Sequence, residues 1–350
     1  MEETVTRSVA APRDERARQV WATLERGLSR HFGERVRIEA LQSVFHARST
    51  SYRSERLRVR MSDGRALPVF FKDLSPESLL RVARKVRMPV LGSSRVEWRM
   101  YRDLLAPEHD GTPRLYASRR GPGRGLCWLF LEDIGNMELR YAGEPAYWLA
   151  AARWAARFHA STRHLSRAEL RAIPRHGEAH FRRWALEVER RSAVLGPAER
   201  TIVGRALDTY SDLVPRLAGL PVSLVHGQYF GRNILLRSGP AARAVAVVDW
   251  ESAALGPSYL DIVSLTCGKW SPSRKLAMRR AYLDEYRSAT GKRLRWETFA
   301  RSLRDLELYH ALLFLTPTLQ PGAIRTLVAK RRPWIEELER LERERARRVG

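Results

Sequence analysis

Two polar clusters separated by a short apolar stretch hold the residues best placed to do chemistry. The first is His226-Gly227-Gln228-Tyr229-Phe230-Gly231-Arg232-Asn233, which runs into the apolar residues Ile234, Leu235 and Leu236. The second is Asp249-Trp250-Glu251. It ends the run Ala244-Val245-Ala246-Val247-Val248, a buried strand that would deliver Asp249 to the rim of a cleft. Asn233 and Asp249 offer an amide oxygen and a carboxylate, hard ligands of the kind magnesium takes while phosphate and water complete its shell. Glu251 adds a carboxylate, either as a secondary ligand or as a polar surface residue. Gln228 can orient a hydroxyl but cannot take its proton, because an amide has no useful proton affinity near neutral pH. Upstream, Lys72 follows Phe70 and Phe71 on a strand, and alone it would reach for solvent. With Glu97 downstream on a helix, an ion pair becomes the better account of its position.

This spacing resembles the aminoglycoside phosphotransferase and choline kinase group, whose motif runs His-Gly-Asp, four residues, Asn, with a second Asp on a following turn. Leu224-Val225-His226-Gly227, the strand entry after Asn233, and Asp249-Trp250-Glu251 followed by Gly256-Pro257 and Asp261 carry the likeness. Gly227 favours this small-molecule branch over protein kinases, where an Arg usually follows the His. Further landmarks lie upstream. Val69-Phe70-Phe71-Lys72-Asp73 resembles the third strand with its phosphate-binding Lys. Glu97 and Tyr101, on a helical stretch from Arg95 to Leu105, resemble the helix that positions that Lys. Leu129 to Ile134 resembles the hinge, and Ala155 to Ala160 the helix packed behind the catalytic loop.

The resemblance implies an α+β, two-lobed protein kinase-like fold, with an N-terminal antiparallel sheet lobe and a larger helical C-terminal lobe. Residues 1–18 are expected as a mobile tail and 19–134 as the nucleotide-binding lobe ending at the hinge. Residues 135–350 are expected as the helical lobe with the catalytic loop and acceptor site. ATP, or another nucleoside triphosphate, and magnesium are the implied ligands. Lys72, aimed by Glu97, would hold the α- and β-phosphates, and Asn233 and Asp249 the metal. Backbone groups around Glu132 and Ile134 would bond the base edge. His226 would pack beneath the loop and fix its backbone. Asp261 reads locally as an N-terminal helix cap before Ile262, and by resemblance it braces the catalytic loop.

The departure is Gln228, which stands where the family has its catalytic Asp. General base catalysis is worth ~10²–10⁴-fold, whereas phosphoryl transfer relies mainly on positioning and charge neutralisation. Three functions therefore stay open. One is an active small-molecule phosphotransferase whose acceptor, a hydroxyl or a carboxylate, needs no base. Another is a nucleotide-binding pseudokinase acting as a regulatory or scaffolding protein. The third is a different reaction on the same scaffold.

With 350 residues and 44% hydrophobic content, the chain is long and apolar enough to bury a sizeable core. No stretch reaches the ~18 uninterrupted apolar residues that cross a membrane, and the first 18 residues lack the apolar core of a secretory signal. Cys127 and Cys267 make no disulfide framework, so a cytoplasmic protein is expected. The formal charge of +24 comes from scattered Arg without a nucleic-acid motif, which reads as solvated surface. Such a chain is a poor host for a polycationic aminoglycoside unless its acceptor cleft is locally acidic. The turn at Ala47 to Tyr52, where a phosphate-covering loop would lie, contains no glycine. Trp270, Trp296 and Tyr309 are candidates to line an acceptor cleft or to fill the core. Trp334 to Val349 reads as a solvated terminal helix.

Overall fold

The fold is given by a computed structural model that describes residues 7–9, 14–46, 51–86, 92–105, 111–122, 125–166, 168–238, 244–320 and 323–349. The chain divides into two compact units. One comprises residues 1–137 with 235–238 and 246–251, and the other 138–234, 239–245 and 252–350. The break falls three residues beyond the expected hinge end, and the first unit takes back two later segments. Asp249 and Glu251 therefore fold with the sheet unit rather than with the helical one.

The first unit is built on six antiparallel strands: β1 (Arg7–Val9), β2 (Ile38–Phe45), β3 (Ser54–Met61), β4 (Ala66–Asp73), β5 (Leu115–Arg120) and β6 (Cys127–Glu132). Their order is β1-β2-β3-β4-β6-β5. In β3, Leu57, Val59 and Met61 are buried while Arg58 and Arg60 face solvent, the period of two that a one-sided sheet requires. Helix α1 (Glu15–Phe32) starts where the Asp14 carboxylate accepts a hydrogen bond from the Ala17 amide. It packs Val20, Leu24 and Leu28 into one core with Leu57, Val59, Val69, Phe71, Trp128 and Phe130. Each such side chain contributes roughly 1.5–3 kcal/mol on burial. Residues 1–18, expected as a tail, therefore contain a paired strand and the start of a packed helix; residues 1–6 and 10–13 lie outside the described residues. The glycine-free turn likewise falls largely outside them, at residues 47–50.

Strand β4 does the positioning. Its alternation sends Val69 and Phe71 into the core and Lys72 to the opposite face, where its register partners are Ser54 on β3 and Leu129 on β6. After the short α2 (Arg81–Val86), α3 (Ser94–Arg99) continues into a π-helical turn, Met100–Leu104. Together they match the helical stretch expected from Arg95 to Leu105.

The second unit is mainly helical. Helix α4 (Pro145–Ser161) buries Ala151, Ala152, Ala155 and Ala156. Small side chains let a neighbouring backbone approach, and α4 packs on α8 (Pro272–Thr290). Helices α5 (Glu178–Arg191), α6 (Pro197–Ala218) and α9 (Trp296–Leu315) form a second layer. Strands β7 (Val222–Val225) and β10 (Ala254–Pro257) pair antiparallel and frame the loop that follows β7. A further ribbon of β8 (Ile234–Leu236) and β9 (Val245–Val247) belongs mostly to the first unit and leads to Asp249. Helix α7 (Leu260–Leu265) follows β10, and the short α10 (Arg325–Val328) precedes the terminal α11 (Arg331–Val349). That last helix was expected to be solvated. Instead Ile335, Leu338 and Leu341 are buried, and Arg345 pairs with Asp305 of α9 at 3.1 Å. Its charge alternation had hidden an apolar stripe at helical spacing. Among the described residues no helix is long and apolar enough to cross a membrane, and both cysteines are free.

Candidate active site

In the first unit the expected ion pair forms, and it is a triad. The Lys72 ammonium lies 2.7 Å from Glu97 Oε1 and 2.7 Å from Asp249 Oδ1. Glu97 comes from α3 and is fully buried, and its Oε2 has no hydrogen-bond partner. Tyr101, one turn later on the π-helical segment, is also buried. Ligand oxygens of Glu97, Asp249 and Glu251 all lie within 4.8 Å of one another. Three carboxylates thus stand close to the Lys72 ammonium, and each influences the pKa values here. Burial alone would lower the Lys72 pKa, but Asp249, Glu97 and Glu251 outweigh it and hold the ammonium well above its usual range. Burial pushes Glu97 up to about 7, with Lys72 opposing and the two neighbouring carboxylates adding to the rise.

Asp249 reaches this cluster by a constrained backbone. Its φ is 69°, in the left-handed region that non-glycine residues occupy at a cost of roughly 1–2 kcal/mol. The segment is pinned on both sides. The Val247 amide donates to the Gly111 carbonyl at 2.8 Å, and the Ser93 amide, at the start of α3, donates to the Glu251 carbonyl at 2.8 Å. Residues far apart in sequence are thereby fixed at one point.

At the hinge, Glu132 is held within the first unit. The Glu132 amide already donates to the Arg114 carbonyl at 2.8 Å. Its carboxylate pairs with Arg237 and accepts from the Arg114 amide at 3.1 Å. Glu132 is thus tied to its own unit through both amide and side chain. Arg237 lowers the carboxyl pKa against the opposing effect of burial. Ile134 lies beyond the end of β6, in a turn where Asp133 accepts from the Gly135 amide at 3.0 Å.

In the second unit the loop after β7 is held from beneath. Asp261 lies inside the first turn of α7, whose N-cap position belongs to Tyr259. The local reading of Asp261 as the cap is therefore replaced by the brace. Its carboxylate accepts from the His226 amide at 2.7 Å and the Gly227 amide at 3.0 Å, with His159 Nε2 at 2.9 Å. Burial would raise the Asp261 pKa, but these hydrogen bonds and the adjacent imidazoles hold it below the usual carboxylate range. His226 is fully buried, and its Nδ1 accepts from the Gln228 amide at 3.2 Å, which makes it a strut of the loop. Gly227 has φ 80°, and a Cβ there would lie 2.4 Å from the Ser252 carbonyl oxygen, so no other residue fits. Tyr229 anchors the loop to α4 by donating to the Ala151 carbonyl at 2.9 Å.

Gln228 is half-buried and held at both ends of its amide. Nε2 donates to Ser252 Oγ at 3.0 Å, and Oε1 faces Arg232 at 3.4 Å. Asn233 is buried, and its Nδ2 donates to the Gln228 carbonyl at 2.9 Å. Of the aromatic candidates, Tyr309 is core, fully buried and bonded to His180 at 2.8 Å. Trp270 packs edge-on to Trp148, and Trp296 lies beneath Arg280. The aromatic residues that flank the loop are others. Phe230 contacts Phe314 and His310, and both of these contact Trp334. Ser252, Arg232, Phe314 and Trp334 were not singled out from sequence. Arg232 alone carried a signal there, as a cation within the motif itself.

The profile of a family described as "Phosphotransferase enzyme family" matches residues 62–297. No curated protein matches the chain in sequence. Among solved structures, choline kinase from Cryptosporidium parvum Iowa II is similar with a TM-score of 0.61 at 12% identity, covering 88% of this chain and 91% of that one. The GDP and kanamycin complex of APH(2")-IIia gives a TM-score of 0.55 at 14% identity, with coverages of 92% and 98%. Macrolide 2'-phosphotransferase MphH from Brachybacterium faecium gives 0.52 at 18% identity, with coverages of 86% and 95%. These neighbours share a kinase-like fold with this chain.

Proposed function

The chain belongs to the phosphotransferase enzyme family, and from that premise we propose that it transfers the γ-phosphoryl group of ATP, or of another nucleoside triphosphate, to a small-molecule acceptor. The observation that carries this reading is the Lys72 ammonium held 2.7 Å from both Glu97 and Asp249. A buried lysine fixed between two carboxylates is organised to meet phosphate oxygens rather than solvent. Glu97 aims it, and Asp249 shares it until a nucleotide is bound.

The donor set fits magnesium. Glu97, Asp249 and Glu251 present hard carboxylate oxygens within 4.8 Å of one another, the ligand type that magnesium takes. Asp249 and Asn233 Oδ1 would hold the ion, with Glu251 as a further carboxylate. Bound there, the ion would supply positive charge to offset the charge that develops on the phosphate oxygens. Gln228 would orient the acceptor without accepting a proton. Backbone groups around Glu132 and Ile134 are the candidates for the base edge. The similar structure solved with GDP is consistent with a purine nucleotide as donor. The acceptor is a small molecule other than a polycationic aminoglycoside, given the net charge of +24, and the protein is expected to work in the cytoplasm.

One observation favours a second reading, a nucleotide-binding pseudokinase. The amide of Gln228 is tied to Ser252, and no carboxylate stands at the base position. Titration calorimetry tests the shared premise. Magnesium-dependent ATP binding is expected, and Asp249→Ala should abolish it. Affinity that is absent, or equal in EDTA, would leave the fold alone standing.

A further inference from the structure

We propose that the acceptor is an arylalkyl carboxylate, its acid group held at Arg232 and its ring against the wall formed by Phe230, Phe314 and Trp334. This rests on the phosphotransferase reading above and names the substrate class of that same site. Arg232 is exposed on the loop, directly before Asn233, and no carboxylate pairs with it among the described residues. Its polar neighbour is the neutral Gln228 amide, at a long 3.4 Å. Its guanidinium lies 5.7 Å from the centre of the Phe230 ring. A planar cation over an aromatic face, with its fork of donors uncommitted to an acid, suits a carboxylate whose carbon skeleton is apolar.

The wall supplies the rest. Phe230, Phe314 and Trp334 are each half-buried, and their ring centres lie 5.1 and 5.6 Å apart in sequence along the wall. His310 sits among them, 2% exposed, with no hydrogen-bond partner for Nε2. Burial lowers its pKa to about 3, so the ring is neutral and adds no charge to the wall. The carboxylate that acts on His310, Glu307, is already taken by Lys275 at 2.8 Å and by Arg279. The side chains of the wall thus carry no carboxylate to pair with a cationic acceptor, and Arg232 beside them would repel one, while a ring with an acid group finds both of its complements.

The same acceptor accounts for Gln228. A carboxylate oxygen attacks the γ-phosphorus, and the bond from that phosphorus to the β-bridging oxygen breaks. The bridging oxygen keeps the electron pair and leaves on the nucleoside diphosphate, and the product is an acyl phosphate. No proton moves, so no base is needed. A carboxylate at position 228 would instead compete for Arg232 and repel the nucleophile.

The test uses the full-length protein with phenylacetate, 3-phenylpropionate and indole-3-acetate, and with 2-phenylethanol as the neutral counterpart. Calorimetry without nucleotide reads binding, and hydroxamate formation in the presence of ATP, magnesium and hydroxylamine reads the acyl phosphate. At least one acid should bind about tenfold or more tightly than the alcohol and yield hydroxamate. Arg232→Gln should remove that preference, and Phe314→Ala should weaken acid and alcohol alike. Failure of all three acids to bind, equal binding of the alcohol, an unchanged preference in Arg232→Gln, or nucleoside diphosphate release without hydroxamate would each overturn the proposal. Acid binding in a protein that does not bind Mg-ATP would sink the phosphotransferase reading and leave the acid site standing. The opposite pattern would sink the acid site alone.

Discussion

Replacing Gln228 by Asp restores the residue type that the family motif carries, and the surroundings of Gln228 set what should follow. The fold should tolerate the change. It removes one hydrogen bond, from Nε2 to Ser252 Oγ at 3.0 Å, worth about 1 kcal/mol. It brings a carboxylate, on a side chain one methylene shorter, towards Arg232, which lies 3.4 Å from Gln228 Oε1; a partly exposed pair of this kind is worth ~0–1 kcal/mol. The two nearly cancel, so the melting temperature should move by a few degrees at most. Catalysis should respond more strongly. A carboxylate at 228 and an acceptor carboxylate about 4 Å apart repel by ~1 kcal/mol in water and ~4 kcal/mol at an effective dielectric of about 20. Gln228 is half-buried, so the loss of acyl-phosphate formation should fall between about 5-fold and 1000-fold. Arg232, drawn to the new carboxylate, would be less available and push the loss towards the upper end. The assay is nucleoside diphosphate release with each acid and with 2-phenylethanol, run beside a melting curve. A rise of ~10²–10⁴-fold with the alcohol in Gln228→Asp, without loss of stability, would refute the case for an anionic acceptor. It would show that a hydroxyl acceptor had been waiting for a base.

Two further outcomes follow from the carboxylates on either side of the site. Glu97 is raised to about 7, so its contribution to stability is present below its usual 4.5 and is lost as pH rises through 7. A divalent cation should reverse that loss. Magnesium is therefore expected to raise the melting temperature more at pH 8 than at pH 6, and equal shifts at the two pH values would argue against a metal at this cluster. Asp261→Asn removes a buried anion that accepts from two loop amides and faces His159, and it should cost about 3–5 kcal/mol. Thermal denaturation and turnover should fall together, and an unchanged melting temperature would show that the loop holds its shape without this brace.

The sequence by itself determined the family pattern, because that pattern is local. His226 to Asn233 is one continuous loop, and its spacing to Asp249 is short. The alternation of Leu57, Val59 and Met61 with arginines in β3 was legible for the same reason, and so was the helix carrying Glu97 and Tyr101. Other features depended on what the chain brings back from a distance. Asp249 and Glu251 join the sheet unit because the Val247 amide and the Glu251 carbonyl bond to residues more than a hundred positions earlier. Nothing in the run of valines announces that. The capping reading of Asp261 was chemically sound, yet its carboxylate is used 34 and 35 residues upstream in sequence, on the amides of Gly227 and His226. Helix α11 reads as solvated because alternating charges dominate its sequence, and its buried stripe counts only once α9 lies against it. The aromatic wall was least legible of all. Phe230, Phe314 and Trp334 come from three segments, and an aromatic side chain looks the same in sequence whether it fills a core or lines a site. Tertiary structure decides between those roles, because it alone fixes which ring faces meet and which charges nearby are already paired.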